Sequence, residues 1–131
     1  MSWRDAPLYT EVRALAADTV ERAARWHHPW AEIACTRAAT LVESVTLSLT
    51  FVRGRERHLE DADHANVALR EALRIAGALH LLPPGALREA ERRSLRAGRM
   101  IGGWRQRLAR GPPVDSLDDD EGGGAPPATT G

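Results

Sequence analysis

The sequence predicts an all-α protein, an antiparallel four-helix bundle, on three observations. Alanine (22 residues) and leucine (15) supply most of the apolar side chains, whereas the β-branched and aromatic residues that favour strands are scarce. Apolar residues recur at spacings of three and four over four stretches, each about 20 to 25 residues long. Short breaks rich in Gly, Pro or His separate these stretches, so neighbouring helices are expected to run antiparallel.

Charge divides the chain into two parts. All 18 basic residues are arginines, and they lie with 13 acids in residues 1–111, which gives this part a net charge of +5. Residues 112–131, the tail, contain five acids and no base, a net charge of −5, together with many Pro and Gly residues. A segment of this composition buries too little apolar surface to fold. We therefore expect a four-helix bundle over residues 1–111 and a disordered acidic C-terminal tail over residues 112–131.

The first two helices are predicted to meet at a corner formed by residues 27–29. Asp5 is the predicted N-cap of the first helix, with Pro7 in its first turn. The second helix is predicted to begin at Pro29, to run to about Arg53 and to end at Gly54. Their apolar lines are Leu8, Val12, Leu15, Thr19, Val20, Ala23 and Trp26, and then Trp30, Ile33, Ala34, Ala38, Leu41, Val45, Leu49 and Val52. Residues 45–51 also alternate with period two, which is typical of a strand, but the helical period continues through them and helix is predicted.

The third helix is predicted from about Leu59 to about Leu82. Its main apolar line is Leu59, Ala62, Asn66, Leu69, Leu73, Ala76 and His80, in which His80 is predicted to be a hydrogen-bonded core histidine. A second line lies beside it and consists of Ala68, Ala72, Ile75, Leu79 and Leu82. The two lines cover roughly 200° of the helix, about twice the stripe that one core needs. We therefore expect the second line to form an exposed strip that a homo-oligomer buries.

The fourth helix, predicted from about residue 85 to residue 110, has two opposed sides. The core side consists of Leu87, Ala90, Ser94, Ala97, Ile101, Trp104 and Leu108. The opposite side, called the arginine face below, consists of Arg88, Arg92, Arg96, Arg99, Arg107 and Arg110. Like charges one turn apart destabilise a helix, and the guanidinium fork suits phosphate. We predict that this face binds nucleic acid, extended by Arg53, Arg55 and Arg57 before the third helix; a solvated face without a ligand is the alternative.

Small residues follow the edge of the core side in the same helix. Ser94, Gly98 and Gly102 recur every four residues, a spacing that leaves a groove in which another helix can pack closely. We therefore predict Gly98 and Gly102 in an oligomer interface. The alternative is a kink, or an early end of the helix near residue 102.

Enzyme and metal sites are not predicted. A di-iron bundle needs two inward Glu-x-x-His repeats, and the chain offers only Asp61 and His64, on the predicted solvent side of their helix. His27, His28 and Glu32 lie near one corner, but adjacent histidines point in different directions. We expect a non-enzymatic protein with no metal, no cofactor and no small-molecule substrate.

The single cysteine and the hydropathy pattern indicate in which cellular compartment the protein is expected. Cys35 cannot form an internal disulfide and has no evident activating partner, so it is predicted to be a buried inert thiol in a cytoplasmic protein. No stretch approaches the 18 or so consecutive apolar residues of a transmembrane helix. The first residues also lack the apolar core of a signal peptide. We expect no association with a membrane.

One run of residues resembles a known family. The run Gly98-Arg99-Met100-Ile101-Gly102-Gly103-Trp104, after a third helix that ends Leu79-His80-Leu81-Leu82, resembles the C-terminal signature of the Avd family. Members of this family are the accessory variability proteins of diversity-generating retroelements. Pro7-Leu8-Tyr9 is similar to the family's opening, and the resemblance covers about residues 7–108. The same fold group includes the intervening-sequence proteins of bacterial large-subunit ribosomal RNA.

The resemblance implies a four-helix bundle that assembles as a ring-shaped homopentamer. It also implies a partner reverse transcriptase and a retroelement RNA or cDNA, in the mutagenic retrohoming of a template repeat into a variable gene, with no catalysis by the bundle itself. The alternative is a structural oligomeric bundle of the intervening-sequence type, without a reverse transcriptase. For the tail, two hypotheses stay open: it competes with nucleic acid for the arginine face, or it only aids solubility.

Overall fold

Four helices account for most of the chain in the computed structural model, which describes residues 6–111. They are α1 (Pro7–Ala23), α2 (Trp30–Thr50), α3 (Arg55–Ala78) and α4 (Pro84–Arg110). Residues 6–111 contain no strand, so the all-α prediction is confirmed, and residues 45–50 are helical as expected. The predicted Asp5 cap and the predicted disorder of the tail lie outside the described residues.

The helices form an antiparallel bundle in which neighbours in sequence pack together. α1 packs against α2 and α4, and α3 packs against α2 and α4, so each helix has two neighbours. Apolar residues from all four helices meet in one core, in which Leu15, Leu41 and Leu69 have no exposed surface. Ile101 of α4 is equally buried in this core. Most residues of the apolar lines predicted for α1, α2 and α4 therefore face the core. Val20 is 47% exposed, and Ile33 and Val52 are half-buried outside the core.

The corner between α2 and α3 differs from the prediction. α2 ends at Thr50, three residues before the predicted end, because Phe51 is extended (φ −116°, ψ 126°). Gly54 does not cap α2; it immediately precedes α3, which begins at Arg55 rather than at about Leu59. The φ of Gly54 is +81°, a left-handed conformation that glycine adopts without a Cβ clash. A glycine between two helices can cap the C-terminus of the first or precede the N-terminus of the second, and Gly54 does the latter.

The far end of α3 also lies earlier than predicted. α3 ends at Ala78, and His80 follows in the left-handed conformation, with φ +62°. The His80 N–H donates to the Gly77 carbonyl (3.0 Å) and the Leu81 N–H to the Ala76 carbonyl (2.9 Å). This pair of bonds is the Schellman motif that closes many helices. The prediction of a core His80 is therefore wrong: the side chain is exposed because its residue turns the chain out of the helix.

The second apolar line of α3 does not form the exposed strip that the sequence predicts. Ala72 has no exposed surface and Leu82 is 4% exposed, Ala68 and Ile75 are half-buried, and only Leu79 is exposed. Helix α2 covers this line: the Trp30 indole donates to the Ala72 carbonyl (2.8 Å) and the Arg37 guanidinium to the Ala68 carbonyl (3.0 Å). The wide apolar face of α3 is explained by its two neighbours within the chain. It does not indicate a second subunit.

Candidate nucleic-acid interface

Helix α4 presents the arginine face to solvent. The helix is continuous from Pro84 to Arg110, so it does not end early near residue 102. Its core side is buried at Ala90, Ser94, Ala97, Ile101 and Trp104. All six residues of the arginine face lie on the opposite side and are exposed, as the sequence predicts.

Acidic neighbours neutralise part of the arginine face. Arg92 donates to both oxygens of Glu89, at 3.0 and 2.6 Å. These hydrogen bonds are the main reason that the pKa of Glu89 lies below, and that of Arg92 above, its ordinary value. The Glu11 carboxylate of α1 lies 4.0 Å from Nε of Arg96 and 3.7 Å from the Arg93 guanidinium. Arg92 and Arg96 therefore offer less free charge than the sequence suggests.

The other four members of the face lack an acidic partner within residues 6–111: Arg88, Arg99, Arg107 and Arg110. Arg88 and Arg110 are 22 residues apart, which corresponds to about 33 Å along a helix. That length matches about ten base pairs of a duplex, or one helical turn. The unpaired arginines thus form a linear array of cations with the length of a nucleic-acid segment.

Arg55 does not belong to this surface. It is 9% exposed, its Nε donates to the Ser48 carbonyl (2.7 Å), and its guanidinium lies 5.0 Å from the ring centroid of Trp104. The prediction that Arg55 extends the arginine face is wrong, because Arg55 continues the buried line of α3. Its side chain instead joins the start of α3 to α2 and α4.

The other two arginines of this corner are exposed. Arg53 lies before α3, and Arg57 pairs with Asp61 (3.2 Å). Phe51, which is 52% exposed, lies in the same connection. Exposed aromatic rings beside arginines are used by proteins that stack the bases of single strands. This aromatic side chain was not among the predicted site residues.

The small residues of α4 have two different environments. The Asn66 amide donates to the Ser94 carbonyl and the Ser94 hydroxyl donates to the Asn66 oxygen, both at 2.9 Å. A Cβ on Gly98 would lie 3.3 Å from the Asn66 amide nitrogen. The close packing predicted for Gly98 therefore occurs within the chain, between α3 and α4. A Cβ on Gly102 would meet no atom within 4 Å, so Gly102 is left open.

An apolar groove between α1 and α2 was not predicted. It has a volume of about 700 Å³ and is bordered by Arg13, Glu21 and Glu43. Its floor consists of Ala16, Ala17, Val20, Ala38, Ala39 and Val42. The sequence does carry a signal, because the pattern Ala-Ala-x-x-Val occurs at residues 16–20 and again at residues 38–42.

The side chains that could bind a metal do not form a cluster in the described part of the chain. Within residues 6–111, no group of three His, Cys, Asp or Glu side chains is placed to hold a metal ion. His28 instead accepts a hydrogen bond from the Trp30 N–H at the start of α2 (3.0 Å). Cys35 is half-buried, not buried as predicted. Among the same residues, no helix has the length and apolar content needed to cross a bilayer.

Known proteins offer no further guide to this surface. Comparison with models of protein families, with curated proteins and with solved structures finds no match. A function must therefore rest on the arginine face, the groove and the sequence resemblance.

Proposed function

We propose that the chain is a non-catalytic accessory protein that binds nucleic acid through the arginine face. From the resemblance to the Avd family we propose that its partners are a reverse transcriptase and the RNA or cDNA of a diversity-generating retroelement. The observation that carries the proposal is the row of exposed arginines on α4, four of them without an acidic partner among the described residues.

The physical basis is the distribution of charge. Helix α4 contains eight arginines and two acids, a net charge of +6, whereas α1, α2 and α3 each carry a net charge of −1. A row of like charges destabilises its own helix, and binding a polyanion relieves that repulsion. Each phosphate that an arginine neutralises also releases counterions, which favours binding at low salt. The α4 surface is thus suited to phosphate backbones more than to a base sequence.

We expect the variant Arg88→Gln/Arg99→Gln/Arg107→Gln to bind nucleic acid more weakly and with less dependence on salt. Losing three phosphate contacts should reduce the slope of log K against log salt by about 2 to 3, and the affinity at 50 mM salt by roughly tenfold or more. The measurement is fluorescence anisotropy with a labelled 20-nucleotide RNA and with a DNA of the same sequence. Each is titrated with the protein at several salt concentrations.

A matched control separates this surface from net charge. The variant Arg13→Gln/Arg22→Gln/Arg25→Gln removes the same charge from α1 and the residues just after it. We expect it to keep most of the salt dependence. If both triple variants lose affinity equally, or if the α4 variant binds like the parent, the arginine face is not the binding site.

The apolar groove between α1 and α2 favours self-association, a property that the alternative function, a structural assembly without a reverse transcriptase, shares with the accessory function. Leu95 lies among the arginines of α4 and is 47% exposed, and two carboxylates, Glu21 and Glu43, border the groove. A second copy whose Leu95 enters the groove would bring its arginines to these carboxylates. Such a head-to-tail contact closes into a ring or continues as a filament.

Light scattering behind gel filtration tests this assembly. The parent chain is expected to elute well above its monomer mass of 14.3 kDa, with five copies as the number that the resemblance implies. Val20→Glu in the groove and Leu95→Glu on α4 should each dissociate the assembly, because both place a charge in an apolar contact. Val67→Glu, at an α3 position that is 51% exposed, should not. A parent chain that is monomeric at micromolar concentration would exclude the contact.

A further inference from the structure

We propose that the acidic segment of the tail (Asp115, Asp118, Asp119, Asp120 and Glu121) binds the end of the arginine face in the same chain. Docked there, it competes with nucleic acid. The competition rests on the proposed function, whereas the docking rests only on charge and chain length. The proposal therefore adds a regulatory contact to the α4 surface.

Charge identifies α4 as the surface that fits this segment. The segment carries five acids and no base. Among the four helices, net positive charge is confined to α4. Arg99, Arg107 and Arg110 each lack an acidic partner within residues 6–111. Arginines pair readily with carboxylates as well as with phosphates, because both anions match the guanidinium fork.

The length of the connection limits which arginines the segment can reach. Helix α4 ends at Arg110, and Gly111 follows with φ +77°, a conformation in which the chain leaves the helix direction. Asp119 follows Gly111 by eight residues, and the covalent geometry of the chain limits the span of eight residues to about 28 Å. Along the helix, Arg99 lies about 18 Å from Gly111 and Arg88 about 35 Å. Asp118 and Asp119 can therefore reach Arg110, Arg107 and Arg99, whereas Arg88 lies beyond the span of their connection.

Tethering makes a weak contact effective. A connection of this length gives the acidic segment an effective concentration of the order of millimolar at the α4 surface. Because the contact is ionic and exposed, salt should weaken it over the same range in which salt weakens nucleic-acid binding. Nucleic acid at low concentration must then displace the segment from part of its site, while Arg88 stays accessible for the first contact.

The docking is tested on the full chain without nucleic acid. We compare the arginine Nε–H resonances of the parent with those of Asp118→Asn/Asp119→Asn by NMR, at 20 mM and 500 mM salt. At low salt the signals of Arg99, Arg107 and Arg110 should differ between the two proteins, and the signal of Arg88 should not. At high salt the difference should vanish. If the four arginines give the same signals in both proteins at low salt, or if Arg88 shifts as much as Arg107, the proposal is wrong.

The competition is tested with a labelled 20-nucleotide RNA. Asp118→Asn/Asp119→Asn is expected to bind it at least about threefold more tightly than the parent at 50 mM salt, with the difference lost at high salt. The matched control is Glu32→Gln/Glu71→Gln, which makes the same change in net charge at exposed positions of α2 and α3, outside both the groove and the arginine face. Equal tightening in both variants would show that long-range charge, and not docking, is responsible. If no variant binds RNA, the proposed function fails, and the NMR comparison still decides the docking.

Discussion

Replacing Trp104 by alanine is expected to lower the free energy of unfolding by about 3 to 5 kcal/mol, the range found for large aromatic residues in protein cores. Trp104 is 6% exposed and packs in the same core as Ile101 and Leu59. Its loss would leave a cavity at the end of the bundle where α4 meets the start of α3. The Arg55 guanidinium, now 5.0 Å from the indole centroid, would also lose its cation–π contact.

Urea denaturation followed by far-UV circular dichroism measures this effect. Trp104→Phe is the matched control, since it keeps an aromatic ring in the site and should cost less than about 2 kcal/mol. An alanine variant within about 1 kcal/mol of the parent would mean that the indole contributes little to the core. Because Trp104 lies on the core side of α4, the loss should affect stability and leave the exposed arginines chemically unchanged.

Helical periodicity was sufficient to predict the fold and the direction of most side chains. Apolar residues at spacings of three and four place Leu15 or Leu69 in the core whatever the position of the helix ends. The ends themselves depend on single residues with two possible roles. Gly54 is as suitable after one helix as before the next, and His80 takes the left-handed position that glycine usually occupies.

The misplaced start of α3 explains the error at Arg55. Residues 55, 59, 62, 66 and 69 continue one line of spacings of four and three, so a helix that begins at Arg55 directs this arginine to the core. With the start placed at Leu59, Arg55 belongs to a loop and counts as part of a basic surface. The error came from the boundary and not from the periodicity.

The arginine face could be predicted because all of its members lie on one helix. Its partner from another helix could not, because Glu11 comes from α1 and reaches Arg96 and Arg93 only through the packing of α1 on α4. The same limit applies to the second apolar line of α3. The sequence gives the width of an apolar face, whereas the number of helices that cover it depends on the tertiary arrangement.

Helix α4 is held to α3 by polar contacts behind the arginine face. Asn66 is 1% exposed and Ser94 has no exposed surface; the Asn66 amide donates to the Ser94 backbone carbonyl, and the Ser94 hydroxyl donates to the Asn66 side-chain oxygen. Arg70 adds a third bond, from its guanidinium to the Ser94 hydroxyl (3.0 Å). Because these contacts hold α4 on its core side, the arginine face can carry arginines that have no acidic partner among the described residues.

Asn66→Ala is therefore expected to lower the free energy of unfolding by about 2 to 4 kcal/mol. The substitution removes both hydrogen bonds to Ser94: the carbonyl keeps only its partner within α4, and the buried Ser94 hydroxyl loses its acceptor on Asn66. A buried polar group left without its partner costs about 1 to 3 kcal/mol. The shortened side chain also leaves a small void against Gly98. Urea denaturation of the parent and the variant measures the loss.

A double-mutant cycle with Ser94→Ala measures the share of this loss that arises from the bond between the Ser94 hydroxyl and the Asn66 oxygen, because Ser94→Ala keeps the backbone carbonyl that accepts from Asn66. Residues that share hydrogen bonds usually couple by about 0.5 to 3 kcal/mol, and a value near zero would contradict the assignment.

Gly98→Ala provides an independent test of the contact between α3 and α4. Its Cβ would press on the Asn66 amide, so the gain of about 1 kcal/mol in helix propensity should appear in full only when Asn66 is already alanine. Because the arginine face points away from this network, these variants should bind nucleic acid like the parent under conditions where they stay folded.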